Sequence, residues 1–184
     1  MPKRRILEKP SKHRQKEFLA AVARSRQLHD SWASPPRTAA AFSRYLAHLQ
    51  QPQHVGYWIL TETNELAGVI NITEIVRGNF RSAYLGYYAF VPHNRHGYLT
   101  EGLSAAISDA FRRLRLHRLE ANVQPDNDAS TRLVQRLGFR KEGFSQRYLK
   151  IAGRWRDHER WAITAEEWSS HKRIQRRHEW SYER

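Results

Sequence analysis

The sequence predicts an α+β domain, in which one mixed and mostly antiparallel sheet of six or seven strands carries helices on both faces. The first observation is the order of segments: two helical stretches precede three strands, and a strand–helix–strand–helix run and a hairpin follow. The second is the stretch 83–102, AYLGYYAFVPHNRHGYLTEG, which passes from a strand through a glycine turn into a helix. That helix leads to the next strand, so the two strands suit a parallel pair, and if they also splay apart the gap between them admits an extended ligand.

Composition indicates which partners suit the chain. The 184 residues fit a single domain, which we expect over residues 1–170, followed by a basic tail over residues 171–184. The excess of 32 Lys and Arg over 18 Asp and Glu gives a net charge of +14. This balance favours contact with polyanions such as RNA or the ribosome, and a generally basic surface is the alternative interpretation.

Cysteine is absent from the sequence. This excludes a disulfide framework, a thiolate nucleophile and a zinc site built on cysteine, and we expect no metal. The sequence has no run of about 18 apolar residues, and its basic N-terminal segment lacks the apolar stretch of a secretory signal. We therefore expect a cytoplasmic protein with no membrane partner.

The first half of the chain alternates apolar segments with turn residues. Residues 1–10 are expected to be flexible or to form an edge strand. Ser11 is suited to cap a helix that runs to about Leu28, and Thr38 is suited to cap a second helix. Three segments with the residue content of sheet strands follow. They are Val55–Thr61, Leu66–Val76 and Ala83–Phe90.

The second half predicts two helices that alternate with strands. An apolar helical rhythm covers residues 99–115, and a short strand follows at His117–Val123. The next helix, Asn127–Leu137, is closed by Gly138 on its C-terminal side. A hairpin and a final helix end the domain, with the hairpin strands Phe139–Ile151 and Arg154–Ile163 and the capping box of Thr164 and Glu167.

The turn after the Ala83–Phe90 strand has the features of an anion site. Pro92 ends the strand because proline donates no backbone N–H to a sheet. The first N–H groups of the following helix lack intrahelical acceptors, and the helix dipole adds positive potential there. Gly97 lets the backbone approach a ligand closely, and Arg95 and His96 add donors and charge. We interpret the turn as a phosphate-binding loop; an ordinary structural turn is the alternative.

The stretch NRHGYLTEG and the downstream segments NDAS, LGF and EG, within residues 127–143, resemble motifs of the GCN5-related N-acetyltransferases (GNAT). The first resembles the family's pyrophosphate loop, Gln/Arg-x-x-Gly-x-Gly/Ala, with Asn94, Gly97 and Leu99 at its three defined positions. Only Gly97 matches outright, but backbone N–H groups make the phosphate bonds, so the departures matter little. The later segments resemble the family's N-x-x-S…LGF…EG pattern.

Longer segments resemble the RimJ type within that family: GVINITEIVRGNFRSAYLGY, HRLEANV, LVQRLGFRKEG and GRWRDHERWAIT. The resemblance runs from about Lys9 to Trp168 and is strongest after Gly68. It implies the GNAT fold, acetyl-CoA as cofactor, and acetylation of a protein N-terminal α-amine, which in the RimJ type is the alanine of a small-subunit ribosomal protein. The implied partners are that N-terminus and, through the basic surface, the ribosome or its RNA, with the enzyme a monomer or homodimer.

The resemblance also implies which residues hold the cofactor. Backbone groups of Ala89 and Phe90 would bond the pantetheine arm as an added strand does. The pyrophosphate would lie on Asn94, Arg95, His96, Gly97, Tyr98, Leu99 and Thr100. Asn127 would contact the cofactor, although an Asn at that place also caps its helix. Ser130 would donate a hydrogen bond to the leaving thiolate, and a small residue that lets the cofactor approach is the alternative.

A general base is not assigned by the sequence. An N-terminal α-amine has a pKa of about 7.7–8.0, so a fair fraction is neutral and a weak base or a water relay suffices. Glu74 and Glu120 are the candidates and His158 is a third, with exposed sheet carboxylates and local packing as the alternatives. Tyr84 and Tyr87 are candidates to bind substrate, although alternation along the strand places them on opposite faces.

Two other functions stay open at this point. A GNAT enzyme could instead acetylate a small amine such as a polyamine or an aminoglycoside. The second alternative is a module that binds coenzyme A or RNA without turnover. The tail over residues 171–184 is interpreted as a solvated basic end, with contact to RNA or a partner as the alternative. The net charge of +14 favours a ribosomal setting over a small-molecule one.

Overall fold

The computed structural model describes residues 7–172, which form one sheet and the helices around it. The strands are β1 (Leu7–Glu8), β2 (Val55–Leu60), β3 (Leu66–Val76), β4 (Ser82–Ala89), β5 (Arg118–Val123), β6 (Arg140–Ile151) and β7 (Arg154–Thr164). The helices are α1 (Gln15–Arg24), α2 (Arg26–His29), α3 (Ala39–Leu49), α4 (Tyr98–Arg112), α5 (Asp128–Arg136) and α6 (165–172).

The seven strands follow the order β1-β2-β3-β4-β5-β7-β6. Neighbouring strands are antiparallel except β4 and β5, which are parallel, so the predicted mixed sheet is confirmed. The β4–β5 ladder holds only from Ser82 and Arg118 to Tyr84 and Glu120. Beyond it β4 stays paired with β3, and β5 with β7, to their ends. The two parallel strands therefore diverge, as predicted, and the gap between them is called the wedge below.

Helices cover both faces of the sheet because successive side chains of a strand enter two different cores. On the α4 face, which α5 also covers, a Cβ at Gly102 would lie 2.7 Å from Ile59, so glycine permits close helix–strand packing. On the α1–α3 face, Trp58 packs against Phe18 and Phe42 with ring centroids 5.7 and 6.2 Å apart. Burial of apolar side chains on both faces stabilises the sheet in which the wedge lies.

The predicted first helix is interrupted. Ser11 makes no side-chain cap bond, a 3-10 turn covers Lys12–Arg14, and α1 and α2 separate at Ser25. The interruption has a tertiary cause: Ser25 is fully buried, and its Oγ accepts a hydrogen bond from the Val91 N–H at 2.9 Å. The edge-strand alternative holds for β1, and residues 1–6 lie outside the described part of the chain.

The predicted helix caps are present. Thr38 Oγ1 accepts a hydrogen bond from the Ala41 N–H at 3.2 Å at the start of α3. Thr164 and Glu167 form both bonds of the capping box at the start of α6, Thr164 N–H to Glu167 Oε2 at 2.7 Å and Glu167 N–H to Thr164 Oγ1 at 3.4 Å. Gly138 follows α5 with a φ of 84°, the left-handed conformation that ends a helix.

The last described helix changes one predicted boundary. α6 continues through Lys172, whose Nζ lies 5.0 Å from the centroid of the Trp168 ring, so the limit expected at residue 170 falls inside a helix. The remaining tail residues, 173–184, lie outside the described part. Within residues 7–172, no helix is both long and apolar enough to cross a membrane.

Candidate active site

The wedge between β4 and β5 is the centre of the candidate site. Its apex lies at the last paired residues, Tyr84 and Glu120, and it widens toward the loop that follows β4. Helix α5 contacts the wedge on the α4 face, because Ser130 reaches Tyr87 of β4. Side chains of β5 and β7 line the α1–α3 face. A ligand lying between the diverging strands can therefore be contacted from both faces of the sheet.

The loop after β4 forms a concave surface of backbone N–H groups. Gly97 is the N-cap of α4 with a φ of 86°, and it makes no side-chain cap bond. Arg95 also lies at positive φ, 67°. Successive turns of this kind direct backbone N–H groups toward one point, where the helix dipole adds positive potential. Leu99 and Thr100 lie in the first helical turn, whose N–H groups have no intrahelical acceptor. The loop therefore has the donors that a pyrophosphate needs.

Neighbouring side chains hold this loop in place. His96 Nδ1–H donates to the Asn94 carbonyl oxygen at 2.9 Å. Tyr98 OH donates to the Glu62 carboxylate in the β2–β3 turn, and His93 Nε2 lies 3.5 Å from Glu65 Oε2 of the same turn. The predicted residues 94–100 thus lie together in one loop and first helical turn, braced against the β2–β3 hairpin.

The end of β4 differs from the expected arrangement. The Phe90 N–H donates to the Ala67 carbonyl oxygen at 2.8 Å, so it is directed toward β3 and cannot bond a pantetheine arm in the wedge. Successive residues of a strand direct their backbone groups to opposite edges, which leaves Ala89 facing the wedge. Its carbonyl oxygen already accepts a hydrogen bond from His29 Nε2–H at 2.7 Å. His29 escaped the sequence analysis because no motif marks it; burial lowers its pKa.

Ser130 and Asn127 lie where α5 meets the wedge. Asn127 Oδ1 accepts from the Ser130 N–H at 3.0 Å, which makes Asn127 the cap of α5. Ser130 Oγ lies 2.6 Å from Tyr87 OH. Burial raises the pKa of Tyr87 to about 12, so this phenol keeps its proton at neutral pH and can serve as a donor. Tyr87 therefore belongs to the α4 face beside Ser130, not to a surface shared with Tyr84.

Tyr84 occupies the apex on the α1–α3 face. Its OH lies 3.5 Å from Tyr148 OH, and this contact, together with burial, raises the pKa of Tyr84 to about 12. Tyr88 shares its face but packs in the core with His29 and Phe90, at ring centroids 5.1 and 5.6 Å away. Of the alternating tyrosines, Tyr84 alone is 36% exposed at the wedge apex, where an acceptor could touch it.

The candidate bases are differently placed. Glu120 accepts from Arg118 Nε at 2.9 Å and lies at the apex. Glu74 is an exposed residue with a φ of 51° in an irregular part of β3, and β4 separates it from the wedge. His158 is buried, its Nδ1–H donates to the Arg156 carbonyl oxygen at 2.9 Å, and burial lowers its pKa. Glu120 is therefore the candidate at the wedge apex, Glu74 lies away from the wedge, and His158 lies on β7, one strand beyond the wedge wall.

The α1–α3 face holds polar groups that the sequence analysis missed. Asn122 Oδ1, Arg156 Nε and Arg160 Nε are buried and have no hydrogen-bond partner within residues 7–172. Asn122 lies on the β5 wall of the wedge and pairs with Arg160 across the β5–β7 ladder, which places this arginine one strand away from the wedge. The alternation in GRWRDHERW could have predicted that both arginines lie on one face of their strand. It could not have predicted which face that is or which strand lies beside it. No cluster of three metal-ligating side chains occurs in this described part.

Comparison with known families identifies the class of protein that this fold and wedge define. Residues 4–140 match the family described as "Acetyltransferase (GNAT) domain". The chain belongs to the GNAT family of N-acetyltransferases, enzymes that take their acetyl group from acetyl-CoA.

Particular relatives share long segments with it. A Bacillus subtilis (strain 168) protein named "Probable N-acetyltransferase YjcK" is 35% identical over 66% of this chain and 67% of its own length. The [Ribosomal protein uS5]-alanine N-acetyltransferase of Escherichia coli (strain K12) is 42% identical over 59% of this chain and 56% of its own length. The chain thus matches between about half and two thirds of these relatives.

Solved structures agree with the RimJ resemblance. Mycobacterium smegmatis RimJ in complex with CoA-disulfide superposes with a TM-score of 0.81 at 26% identity, covering 88% of this chain and 82% of that one. The spermidine N-acetyltransferase of Vibrio cholerae, in complex with CoA and spermine, superposes with a TM-score of 0.74 at 20% identity, covering 88% and 96%. The second likeness shows the fold alone.

Acetyl-CoA is therefore the cofactor, and the residues present fit it. The Gly97 loop offers backbone donors for the pyrophosphate, and the wedge offers an open strand edge for the pantetheine arm. Thr131 Oγ1 on α5 is buried without a partner in the described residues, next to the Ser130 hydroxyl. These groups lie on the α4 face, where α4 and α5 begin.

Proposed function

We propose that this protein acetylates the N-terminal α-amine of a polypeptide, with the alanine of a ribosomal protein as the first candidate acceptor. The observation that carries the proposal is the wedge between β4 and β5, which widens toward the Gly97 loop and has Ser130 beside it on the α4 face. Cofactor and acceptor can then meet from two sides. The resemblance to RimJ and to the uS5-alanine N-acetyltransferase supports the choice of acceptor.

In the proposed reaction, bound acetyl-CoA supplies a thioester-activated acetyl group. The amine nitrogen of the acceptor forms a bond to the acetyl carbon, and the carbon–sulfur bond breaks. Ser130 Oγ–H donates a hydrogen bond to the departing sulfur, and the Tyr87 phenol, 2.6 Å away, orients that hydroxyl. The thiolate takes its proton from water. The amine releases its proton to water.

An α-amine suits this site better than a lysine amine does. The unperturbed pKa of an α-amine is about 7.7–8.0 and that of a lysine about 10.4, so only the α-amine is appreciably neutral near pH 7. Among the described residues, Glu120 is engaged by Arg118 and Glu74 lies beyond β4. A site without a dedicated base favours an acceptor that loses its proton readily.

The proposed setting is the cytoplasm, at the ribosome. The net charge of +14 favours approach to ribosomal RNA, and the named relatives that modify ribosomal protein support that location. A monomer and a homodimer are both compatible with this proposal.

The test is to incubate purified protein with acetyl-CoA and an Ala-initiated peptide and to identify the acetylated N-terminus by mass spectrometry. Spermidine and an aminoglycoside are assayed in parallel. Preferred acetylation of the peptide supports the proposal, and preferred acetylation of either small amine contradicts it. Binding of coenzyme A without thiol release from any acceptor would indicate a non-catalytic module.

A further inference from the structure

Two arginines on the α1–α3 face have no counter-charge among residues 7–172. Arg156 and Arg160 are half-buried, and each has a buried Nε without a hydrogen-bond partner within residues 7–172. No carboxylate of the described residues lies within 4.0 Å of either guanidinium, whereas Arg118 on the same face binds both Glu120 and Glu142. A buried charge without a partner is costly, and such groups are often retained for a ligand.

The fold makes room for one of these guanidinium groups. Gly143 of β6 pairs with Arg160 of β7. A Cβ at residue 143 would lie 2.6 Å from Arg160 Nη2. The absence of a side chain at Gly143 therefore lets the guanidinium lie over β6, on the side of β7 that faces away from the wedge, where it stays on the same face of the sheet as Asn122.

The three unpartnered groups follow a line away from the wedge. Asn122 lies on the wall of the wedge, Arg160 is its neighbour on β7, and Arg156 lies four residues further along β7. Four strand residues span about 13 Å. An extended peptide advances by a similar distance over about four residues. A polypeptide whose amine enters the wedge at Asn122 can thus pass Arg160 and then Arg156 with its first four or five residues.

We propose that Arg156 and Arg160 select acceptor N-termini that carry a carboxylate within about their first four residues. This inference rests on the proposed function and names its substrate class. Asn122 Oδ1 offers an acceptor for an amine N–H, and a guanidinium edge offers two parallel donors that match a carboxylate. The same charges repel polyamines, whose further ammonium groups would lie beside the arginines.

A peptide series tests the inference on the wild-type protein. Three peptides share one sequence except that the N-terminal alanine is followed by three Glu, three Gln or three Lys, and spermidine is the fourth acceptor. We expect kcat/KM for the Glu peptide to exceed that for the Gln peptide by about tenfold or more, chiefly through KM, and the Lys peptide to be poorest. Equal values for the Glu and Gln peptides would overturn the inference while leaving the proposed function intact.

Acetylation of spermidine with none of the peptides modified would overturn both proposals. These two failures are distinguishable because the Gln peptide reports on α-amine acetylation independently of any acidic side chain.

Substitutions test whether Arg156 and Arg160 produce the preference for the Glu peptide. In Arg160→Gln and Arg156→Gln, the Glu-to-Gln ratio of kcat/KM should fall toward one, and Arg160→Lys should restore part of it. Arg24→Gln removes the same charge from an exposed position on α1 and should leave the ratio unchanged. If both β7 variants keep the full Glu-to-Gln ratio, the two arginines do not produce the preference. If Arg24→Gln lowers the ratio equally, overall charge produces it. Either result would overturn the assignment.

Gly143→Ala provides a test that keeps every charge. Its Cβ should displace the Arg160 guanidinium, so the Glu-to-Gln ratio should fall while the affinity for coenzyme A is kept. An unchanged ratio in a folded Gly143→Ala protein would overturn the placement of Arg160 beside the acceptor.

Discussion

The two faces of the wedge satisfy their polar groups in different ways. On the α4 face, Asn127 bonds Ser130, Ser130 bonds Tyr87, and His96 bonds Asn94, so local contacts position the groups that we propose to face the cofactor. On the α1–α3 face, buried atoms of Asn122, Arg156 and Arg160 have no partner among residues 7–172. We infer that the first face is preorganised for a constant ligand and the second is completed by a variable one.

This difference shows why one side of the site is easier to interpret than the other. A cofactor common to a family is held by backbone loops and helix caps, which are formed by a few consecutive residues and can therefore be identified from the sequence. An acceptor is recognised by side chains from separate strands, which meet only through sheet register. Breaking contacts on each face should therefore change different kinetic constants.

The largest effect is expected from Ser130→Ala on the α4 face. Loss of the proposed donor to the leaving sulfur should lower kcat by about a hundredfold, with little change in coenzyme A affinity. Steady-state thiol release and calorimetry measure the two quantities. Ser169→Ala on α6, whose exposed hydroxyl bonds the Ala165 carbonyl, is the control. A Ser130→Ala enzyme with normal kcat would remove Ser130 from the chemistry.

A smaller effect is expected from Tyr87→Phe. Ser130 should keep its place but lose the phenol that orients it, and kcat should fall by about tenfold with KM unchanged. Tyr88→Phe is the matched control, because Tyr88 is next in β4, takes the opposite face and has a buried hydroxyl without a partner in the described residues. Tyr88→Phe should leave kcat unchanged. Equal losses in both variants would indicate general damage to β4.

The α1–α3 face, where we place the acceptor, also carries a paired charged cluster near the apex. In it, Arg118 binds both Glu120 and Glu142. A hydrogen bond from Arg118 lowers the pKa of Glu142, so the ionised carboxylate stabilises the folded state. This contribution is complete above the ordinary carboxyl pKa and is lost as pH falls through the lowered native value.

Glu142→Gln should therefore reduce the free energy of unfolding at pH 7 by about 1 kcal/mol, and the difference should shrink toward pH 3. Urea unfolding at the two pH values measures it. Asp30→Asn, which breaks the exposed Arg37 pair, should have a smaller effect. A loss for Glu142→Gln that does not depend on pH would show that packing and not charge is responsible.

The smallest effects are expected from Glu74→Gln and Glu120→Gln, the carboxylates first considered as bases. If the acceptor amine loses its proton to water, kcat/KM should change by less than about threefold. The pH–rate profile should rise toward about pH 8 in wild type and both variants, following the α-amine. Disappearance of that rise in Glu120→Gln would make Glu120 the base and would place a catalytic group on the acceptor face.

Most of the fold was predictable because its signals are local. Thr38, Asn127 and the Thr164–Glu167 box cap their helices as the residue types indicate, and Gly97 and Gly138 take the positive φ that turns require. The break at Ser25 was not predictable, because Val91, a residue distant in sequence, produces it. For the same reason Phe90 was expected at the wedge, although its N–H bonds Ala67.

The sequence by itself determined the order of the elements through periodicity, caps and turn residues that act within about twenty residues. The family followed from the resemblance of its motifs, which also implies the splayed pair and the proposed cofactor loop. The tertiary structure alone decided which tyrosine meets Ser130, that His29 bonds Ala89, and that Arg160 is the β7 neighbour of Asn122. The physical reason is strand register: a shift of one residue between β5 and β7 would turn both arginines to the other face, and no local pattern encodes that pairing.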